Sequence, residues 1–443
     1  MDSPRASMMQ LAHFIQRYPP ALGGSEAYFA RLSQFCARQG DDVTVITSNA
    51  LALESFWSNR QECLQPGIEM DAGVTVVRHP LWRFPGRRWL LKPLSLIPHR
   101  AWQCLTMPCN PIAKGMWNVA GDFDAVHATA FPYAFPVLCA RRLARRLRIP
   151  FFITPFLHLG DPADPHNATR RAYTSAPLGW LLKEADAIFV QTPSERDLAL
   201  ALGLAADKVI LQGLGVEPGE CTGGHRAGAR HRWNLPAEGV VVGHLANNSW
   251  EKGTNDLLDA LEPLWRQGKP IHLLLAGPRM PNFTSYWQRF VERCPEFVRT
   301  WIRQLGPITD EEKRDFFAAI DLFALPSRSD SFGLVLLEAW ANGVPSVAYR
   351  AGGIADVIHD QQDGLLVRCG DLGELSAAIA RLTDKETTCR HFGENGRQRL
   401  ATEFRWRDKL ELVRAVIAER IKKTRTEWVT RTLPALQPVL RPE

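Results

Sequence analysis

The 443-residue sequence has no apolar run near the ~18 residues a membrane-spanning helix needs; the nearest candidate, 125–140, carries His127, Pro132 and Pro136. Its start lacks the basic region, long apolar stretch and small-residue cleavage site of a secretory signal, so a cytoplasmic protein is expected. No C-x-x-C pair occurs among its nine scattered cysteines, which disfavours a disulfide framework and a zinc knuckle. Reduced, mostly buried thiols are the expectation. The dinucleotide spacing G-x-G-x-x-G is missing after the first apolar run, which argues against an NAD enzyme. Gly and Pro, 32 and 31 residues, fall short of the roughly 25–30% of a low-complexity chain. With 45% hydrophobic and 23% charged residues, each half can build a core of its own.

Acids are also missing locally. Between Asp71 and Asp122 there is none, while Arg78, Arg83, Arg87, Arg88, Lys92, Arg100 and Lys114 supply seven bases, more than the whole net charge of +6. Trp82, Phe84, Trp89, Trp102 and Trp117 are interleaved with them, and five arginines follow between Arg141 and Arg148. Such a mixture suits an anionic bilayer surface, where rings enter the headgroup zone and each base contributes about 1 kcal/mol. Nucleic acid is a competing polyanion, but no nucleic-acid motif accompanies the charge, so none is expected as a partner. A solvated basic face over core tryptophans is the plainer reading. The membrane surface expected from the charge centres on Arg83, Arg87, Arg88 and Trp89.

Short β-rich runs alternate with helical periodicity throughout, the pattern of parallel sheets with crossover helices. Apolar run 9–15, a glycine loop, a helix over 26–39 stopped by Gly40 and strand 43–47 make one βαβ unit. Further strands are expected at 74–77, 125–127, 151–154, 187–191 and 209–211. Residues 213–232 hold six glycines without apolar periodicity and read as a linker. The pattern then restarts: strands 240–244, 271–276, 322–325, 345–348 and 365–367, with helices 254–264, 310–319 and 334–341. Two doubly wound domains follow, 1–215 and 236–400, joined by linker 216–235; a late helix at 401–425 packs back across both and 426–443 forms a tail.

In open α/β sheets ligands bind beyond the carboxyl ends of the strands, so the loops there are the site candidates. Gly23 and Gly24 open the first such loop: a backbone bare of side chains and a helix start suit a diphosphate, although a Gly-Gly turn capped by Ser25 accounts for them equally well. Lys252, before a helix, can set a point charge on phosphate, as against an ordinary solvated lysine. Asp122-Phe-Asp124 has metal-binding spacing, but Asp124 stands at a strand start as a structural acid would. In the stretch from Ser327 to Ala348, Asp330 sits in a loop, Gly333 turns into a helix, and Glu338 lies eight residues on, where a carboxylate can accept from a ribose diol while N–H groups near Leu334 meet phosphate.

This stretch resembles the Glu-x7-Glu signature of retaining GT-B glycosyltransferases of family 4, the glycosyl transferases group 1 family. The likeness extends to the Gly23-Gly24 loop, His158 in Thr-Pro-Phe-Leu-His, Glu251-Lys252-Gly253, Leu305-Gly-Pro-Ile308 and 352–366. It implies an α/β GT-B fold, two Rossmann-like domains facing a cleft with a C-terminal helix crossing back, and retaining sugar transfer from a nucleotide diphosphate sugar. It implies neither a metal nor a cofactor. By position, Lys252 would neutralise the diphosphate, Glu338 hold the ribose, Pro307 and Ile308 take the base edge, and Phe332, Gly333 and Leu334 lie along sugar and phosphates. Asp330 would meet sugar hydroxyls, and His158 would sit at the reacting centre unless it is only a satisfied cleft-edge residue. Gly23 and Gly24 would approach the diphosphate from the other domain. Two departures stand out: His244 replaces the family's arginine as a candidate donor contact, with Arg279, Asn247 or Asn248 as compensating groups, and Asp330 replaces the first glutamate. The expected activity is hexosyl transfer to a lipid-linked or polysaccharide acceptor, in cell-envelope polysaccharide synthesis at the inner face of the plasma membrane. Rival readings are a nucleotide-sugar epimerase and a non-catalytic nucleotide-sugar binder.

Overall fold

A computed structural model describes residues 8–432 apart from 84–85, 108–109, 162–163 and 165, without the side chains of Arg88, Leu94, Val429, Arg431 and Thr432. Phe84, Cys109, the Arg88 side chain and 433–443 therefore lie outside the described residues. The first half forms strands β1 (Gln10–Phe14), β2 (Asp42–Ser48), β3 (Gly67–Asp71), β4 (Val74–His79), β5 (Ala125–Ala128), β6 (Phe151–Ile153), β7 (Ala187–Val190) and β8 (Val209–Leu211). They make one sheet in the order β3-β4-β2-β1-β5-β6-β7-β8. All its pairings are parallel except β3 with β4, a hairpin turned by Ala72 and Gly73, both at positive φ. The sequence pattern misses β3 because four of its five residues are exposed, so burial imposes no apolar alternation on it.

The second half forms β9 (Val240–Leu245), β10 (Ile271–Ala276), β11 (Ile302–Gly306), β12 (Leu322–Leu325), β13 (Ser346–Tyr349) and β14 (Gly364–Val367), a parallel sheet in the order β11-β10-β9-β12-β13-β14. Edge strand β11, mostly half-buried and with Arg303 and Gln304 between its two apolar residues, is again unmarked by apolar periodicity. Helices cover the sheets with apolar stripes. The helix Thr254–Arg266 buries Leu257, Leu258, Leu261, Leu264 and Trp265 at helical spacing and stops at Gln267-Gly268.

Residues 216–235, expected as a bare linker, contain helices Pro218–Cys221 and Arg226–Arg232. Arg230 is buried and donates to Ala319 O at 2.9 Å and Asp321 Oδ2 at 2.7 Å, which anchors this stretch to the second domain. The chain crosses back at Phe404, whose ring meets Phe332 and Trp340, each at 6.1 Å, and whose carbonyl accepts from Val216 N at 2.9 Å. The helix Trp406–Thr432 then lies on the first domain, buries Leu410, Val413 and Ile417, and pairs Arg414 with Asp41 at 2.7 Å. It also pairs Arg425 with Asp124 at 2.5 Å, and Asp124 accepts from Gln10 N, so this acid closes a strand start.

Both sheets have one topological switch: β1 lies between β2 and β5, and β9 between β10 and β12. Neighbouring strands there send their connections in opposite directions, which opens a crevice at their carboxyl ends. The two crevices face each other.

Candidate active site

A cavity of about 510 Å³ occupies this facing crevice. From the first domain it is lined by Arg17, Gly23, Gly24, Phe156 and His158, and from the second by Leu245, Asn247, Lys252, Asp330 and Gly333, among others. The sequence-derived candidates Gly23, Gly24, His158, Lys252, Asp330, Phe332, Gly333 and Leu334 thus converge on one space.

Lys252 is presented by a folded loop. Its N–H donates to Ser249 Oγ at 3.2 Å, and Ser249 N donates to Thr254 Oγ1 at 3.2 Å. Gly253, at φ 71°, brings this loop against the next one, because a Cβ there would overlap the Pro326 carbonyl. The Lys252 ammonium lies 2.6 Å from Asp330 Oδ2. Burial alone would raise the Asp330 carboxyl; the ammonium outweighs it, with help from His158 and the Phe332 N–H, and holds it below the usual carboxylate range. The lysine keeps further N–H donors free of that carboxylate for the cavity.

His158 Nδ1 lies 3.2 Å from Ser329 Oγ across the crevice, and its ring packs on Tyr173 at 4.7 Å. Burial lowers its pKa to about 4, against the pull of Asp330 and with the push of Lys252, so the ring is neutral at pH 7. It carries one N–H and one acceptor nitrogen rather than a charge.

Glu338 falls in a neighbouring cavity, also about 510 Å³, lined by Arg31, Glu217, Asp310, Lys313 and Trp406, and joined to the first through Leu334. Leu334 and Glu338 are four residues apart on one helix and share a face. Glu338 Oε1 is 2.9 Å from Lys313 Nζ; burial raises its carboxyl pKa and the ammonium opposes that rise.

Two expectations, for His244 and Arg87, are corrected. His244 is not a donor contact: it is fully buried, with Nδ1 2.8 Å from Ala324 O and Nε2 3.0 Å from Thr254 Oγ1. Side chains alternate along β9, so Leu245 reaches the cavity and His244 braces the Lys252 loop from behind. Pro307 and Ile308, which follow β11, line neither of these two cavities; Pro307 is exposed and the Ile308 side chain packs on the core, which leaves their backbone to meet a base edge. Arg87 is buried, donating to Asn110 O at 2.6 Å and Trp82 O at 3.3 Å, so it holds a turn rather than a surface. Arg83 donates to Ser58 O at 2.8 Å, and Trp89 is 76% exposed. Of the proposed compensating groups Asn247 lines the cavity, whereas Asn248 donates to Gly277 O at 2.9 Å.

Sequence reasoning missed Arg17 and Glu26, a buried pair at 2.7 Å on the first-domain wall. Gln16 and Ser25 also donate to Glu26, at 3.1 and 2.8 Å, and a Cβ on Gly23 would overlap its carboxylate. An acid in the first turn of the helix Gly24–Arg38 was the available signal. Among the described residues no group of three or more His, Cys, Asp or Glu is placed to hold a metal ion.

Known structures share this architecture. A sucrose-phosphate synthase from Thermosynechococcus elongatus aligns with a TM-score of 0.67, covering 95% of this chain and 99% of its own at 21% identity. An Anabaena protein solved in complex with UDP-glucose aligns at 0.65, covering 95% and 100% at 16% identity. Two Rossmann-like domains facing a cleft in this way are the GT-B class. In sequence, residues 226–399 match the glycosyl transferases group 1 family and residues 23–215 a glycosyl transferase 4-like domain. The D-inositol 3-phosphate glycosyltransferase of Stackebrandtia nassauensis is 30% identical over 81% of this chain and 79% of its own length. The D-inositol 3-phosphate glycosyltransferase 2 of Catenulispora acidiphila is 28% identical, and the match spans 58% of its length. The chain belongs to the glycosyl transferases group 1 family and is a glycosyltransferase.

Proposed function

We propose that the protein transfers a hexose or hexose derivative from a nucleoside diphosphate donor to a hydroxyl of a lipid-linked or glycan acceptor, with retention of anomeric configuration. The observation that carries this reading is the meeting of Lys252, Asp330 and His158 with the Gly24 helix start at the carboxyl ends of both sheets. In this reading the diphosphate lies between Lys252 and the helix starts at Gly24 and Leu334, the sugar lies between His158 and Asp330, and the nucleoside reaches toward Glu338. As the anomeric C–O bond breaks, its electron pair goes to the diphosphate oxygen, where the ammonium and oriented N–H groups stabilise it. The acceptor oxygen bonds to the anomeric carbon from the same face and passes its proton to that phosphate oxygen. Neutral His158 donates a hydrogen bond to the sugar and adds no charge beside an electron-poor carbon.

The segment 82–105 supports an acceptor at an anionic bilayer, at the cytoplasmic face of the plasma membrane. Trp89, Leu90, Leu96 and Trp102 are 76, 64, 83 and 46% exposed on a stretch without an acid. No helix among the described residues is long and apolar enough to cross a membrane. Mass spectrometry of the protein with UDP-, GDP- and ADP-sugars and a mixed acceptor extract tests the reading. The expected outcome is free nucleotide with a glycosylated product, formed about 10²–10³ more slowly by Lys252→Ala. An interconverted sugar without acceptor would mean an epimerase, and no turnover with any donor a binding protein.

A further inference from the structure

A buried carboxylate outside the cavity is hydrogen-bonded to the backbone of its wall. Phe156, two residues before His158, has φ 52°, a left-handed conformation costly for an aromatic residue. Its neighbours are pinned on both sides. The Pro155 carbonyl accepts from Phe131 N at 3.0 Å, and the Leu157 N–H donates to Glu195 Oε1 at 2.7 Å. Glu195 Oε2 accepts from Gln191 N at 2.6 Å, so both oxygens are occupied by backbone donors. The residue is fully buried at the start of the helix Pro193–Ala201, which Thr192 caps by accepting from Glu195 N. An ordinary capping acid closes on its own cap residue. This one closes on Gln191, one residue before the cap, and with its other oxygen reaches 38 residues back in the chain to Leu157. The same helix start is tied to the second domain: Ser194 N and Oγ each donate to Asp356 at 2.9 Å.

We propose that Glu195 is a positioning residue for sugar transfer: it touches no substrate, but its carboxylate clamps the Leu157 N–H and so holds the 155–158 turn that aims His158 at Ser329 and the cavity. This rests on the reading of His158 as a sugar contact. Without the clamp, Phe156 relaxes toward negative φ, the peptide between Phe156 and Leu157 rotates, and His158 leaves its place beside Asp330. The groups facing the carboxyl are Asp356 from the second-domain helix Ile354–Val357 and Tyr28 from the helix Gly24–Arg38. Burial pushes the Glu195 carboxyl up to about 7, Asp356 adds to the rise, and the Gln191 and Leu157 N–H groups oppose it. A protonated carboxyl gives up acceptor capacity to its O–H. The clamp therefore tightens as pH rises through about 7.

The experiment compares full-length wild type, Glu195→Gln and Glu195→Ala in three measurements: donor KM against kcat, kcat against pH from 5.5 to 8.5 (about 1.5 units on either side of the shifted carboxyl), and amide exchange at Leu157. Glu195→Gln preserves volume and one acceptor oxygen, so it carries the test if the alanine variant does not fold. Expected are a kcat roughly 10- to 100-fold lower with donor KM within about twofold, loss of the wild-type ionisation near pH 7, and faster exchange at Leu157. A kcat within twofold of wild type, or a wild-type ionisation retained in Glu195→Gln, overturns the proposal. If wild type transfers nothing, the reading of the site fails, and unchanged exchange at Leu157 in the variants would then refute the clamp separately.

Discussion

The two walls of the cleft use charge in opposite ways. On the second-domain wall, Lys252 and Asp330 are 28 and 18% exposed, and Lys313 and Glu338 are 24 and 16% exposed, each pair opening onto a cavity. On the first-domain wall, Arg17 and Glu26 are 8 and 2% exposed, and the guanidinium donates to the Leu22 and Leu51 carbonyls as well as to the acid. Glu195 likewise gives both oxygens to backbone N–H groups. One wall thus offers charge to a ligand, while the other uses charge internally to fix the backbone that the ligand meets. The uses of charge are divided between the domains, and substitutions of charged residues on the two walls should fail differently.

Arg17→Met should show the largest effect, and it should be on stability. Breaking a buried pair from one side leaves Glu26 uncompensated, at a cost of about 3–5 kcal/mol, read as a fall in urea midpoint. Arg17→Met with Glu26→Leu should recover most of that loss, since an apolar pair of similar volume leaves no orphaned charge. Lys252→Ala should do the reverse. Its kcat should fall by about 10²–10³, the effect of deleting one preorganised donor at a developing negative charge, with a fall in urea midpoint well below that of Arg17→Met, because the Asp330 it leaves unpaired is partly exposed. Equal stability losses in both variants would erase the distinction between the walls.

The same division decides what could be read in the sequence. Asp330, Gly333 and Glu338 lie within nine residues of one loop and helix, where glycine punctuation and helical spacing place each group. Lys252 was legible because its loop follows a strand, and His158 only through family resemblance. Glu195 was hidden because its partner Leu157 is distant in sequence, and only the Thr192-Pro-Ser-Glu195 cap pattern hinted at it. His244 was misread because a loop-edge position does not say which face of the strand a side chain takes. Arg87 was misread because its partner, the Asn110 carbonyl, comes from a separate turn.

Acid should act on both walls through histidines kept neutral by burial. His13 is lowered to about 3, and His158 and His244 to about 4, from an ordinary 6.5. The unfolded chain binds these protons first, so stability is full above pH 6.5 and falls as pH drops toward 4. Each proton contributes a slope of about 1.4 kcal/mol per pH unit. Urea midpoints from pH 7 to 4.5 check this. His244→Asn should flatten the slope by roughly one proton's share, and an unchanged slope would mean that His244 does not titrate on unfolding.

The smallest stability effect belongs to the exposed apolar segment, and it separates surface from scaffold within one basic stretch. Trp89→Ala with Leu96→Ala removes side chains that stand in solvent, so stability should stay within about 0.5 kcal/mol. Co-sedimentation with anionic vesicles should fall severalfold, because these side chains supply the apolar contact and the neighbouring bases only the attraction. Arg87→Ala should give the opposite result: a lower urea midpoint, since the Asn110 and Trp82 carbonyls lose a donor, with vesicle binding by the folded fraction intact. Weakened vesicle binding by folded Arg87→Ala would return that arginine to the surface. Vesicle binding unchanged in Trp89→Ala/Leu96→Ala would leave the segment as a solvated basic face, with no membrane to explain it.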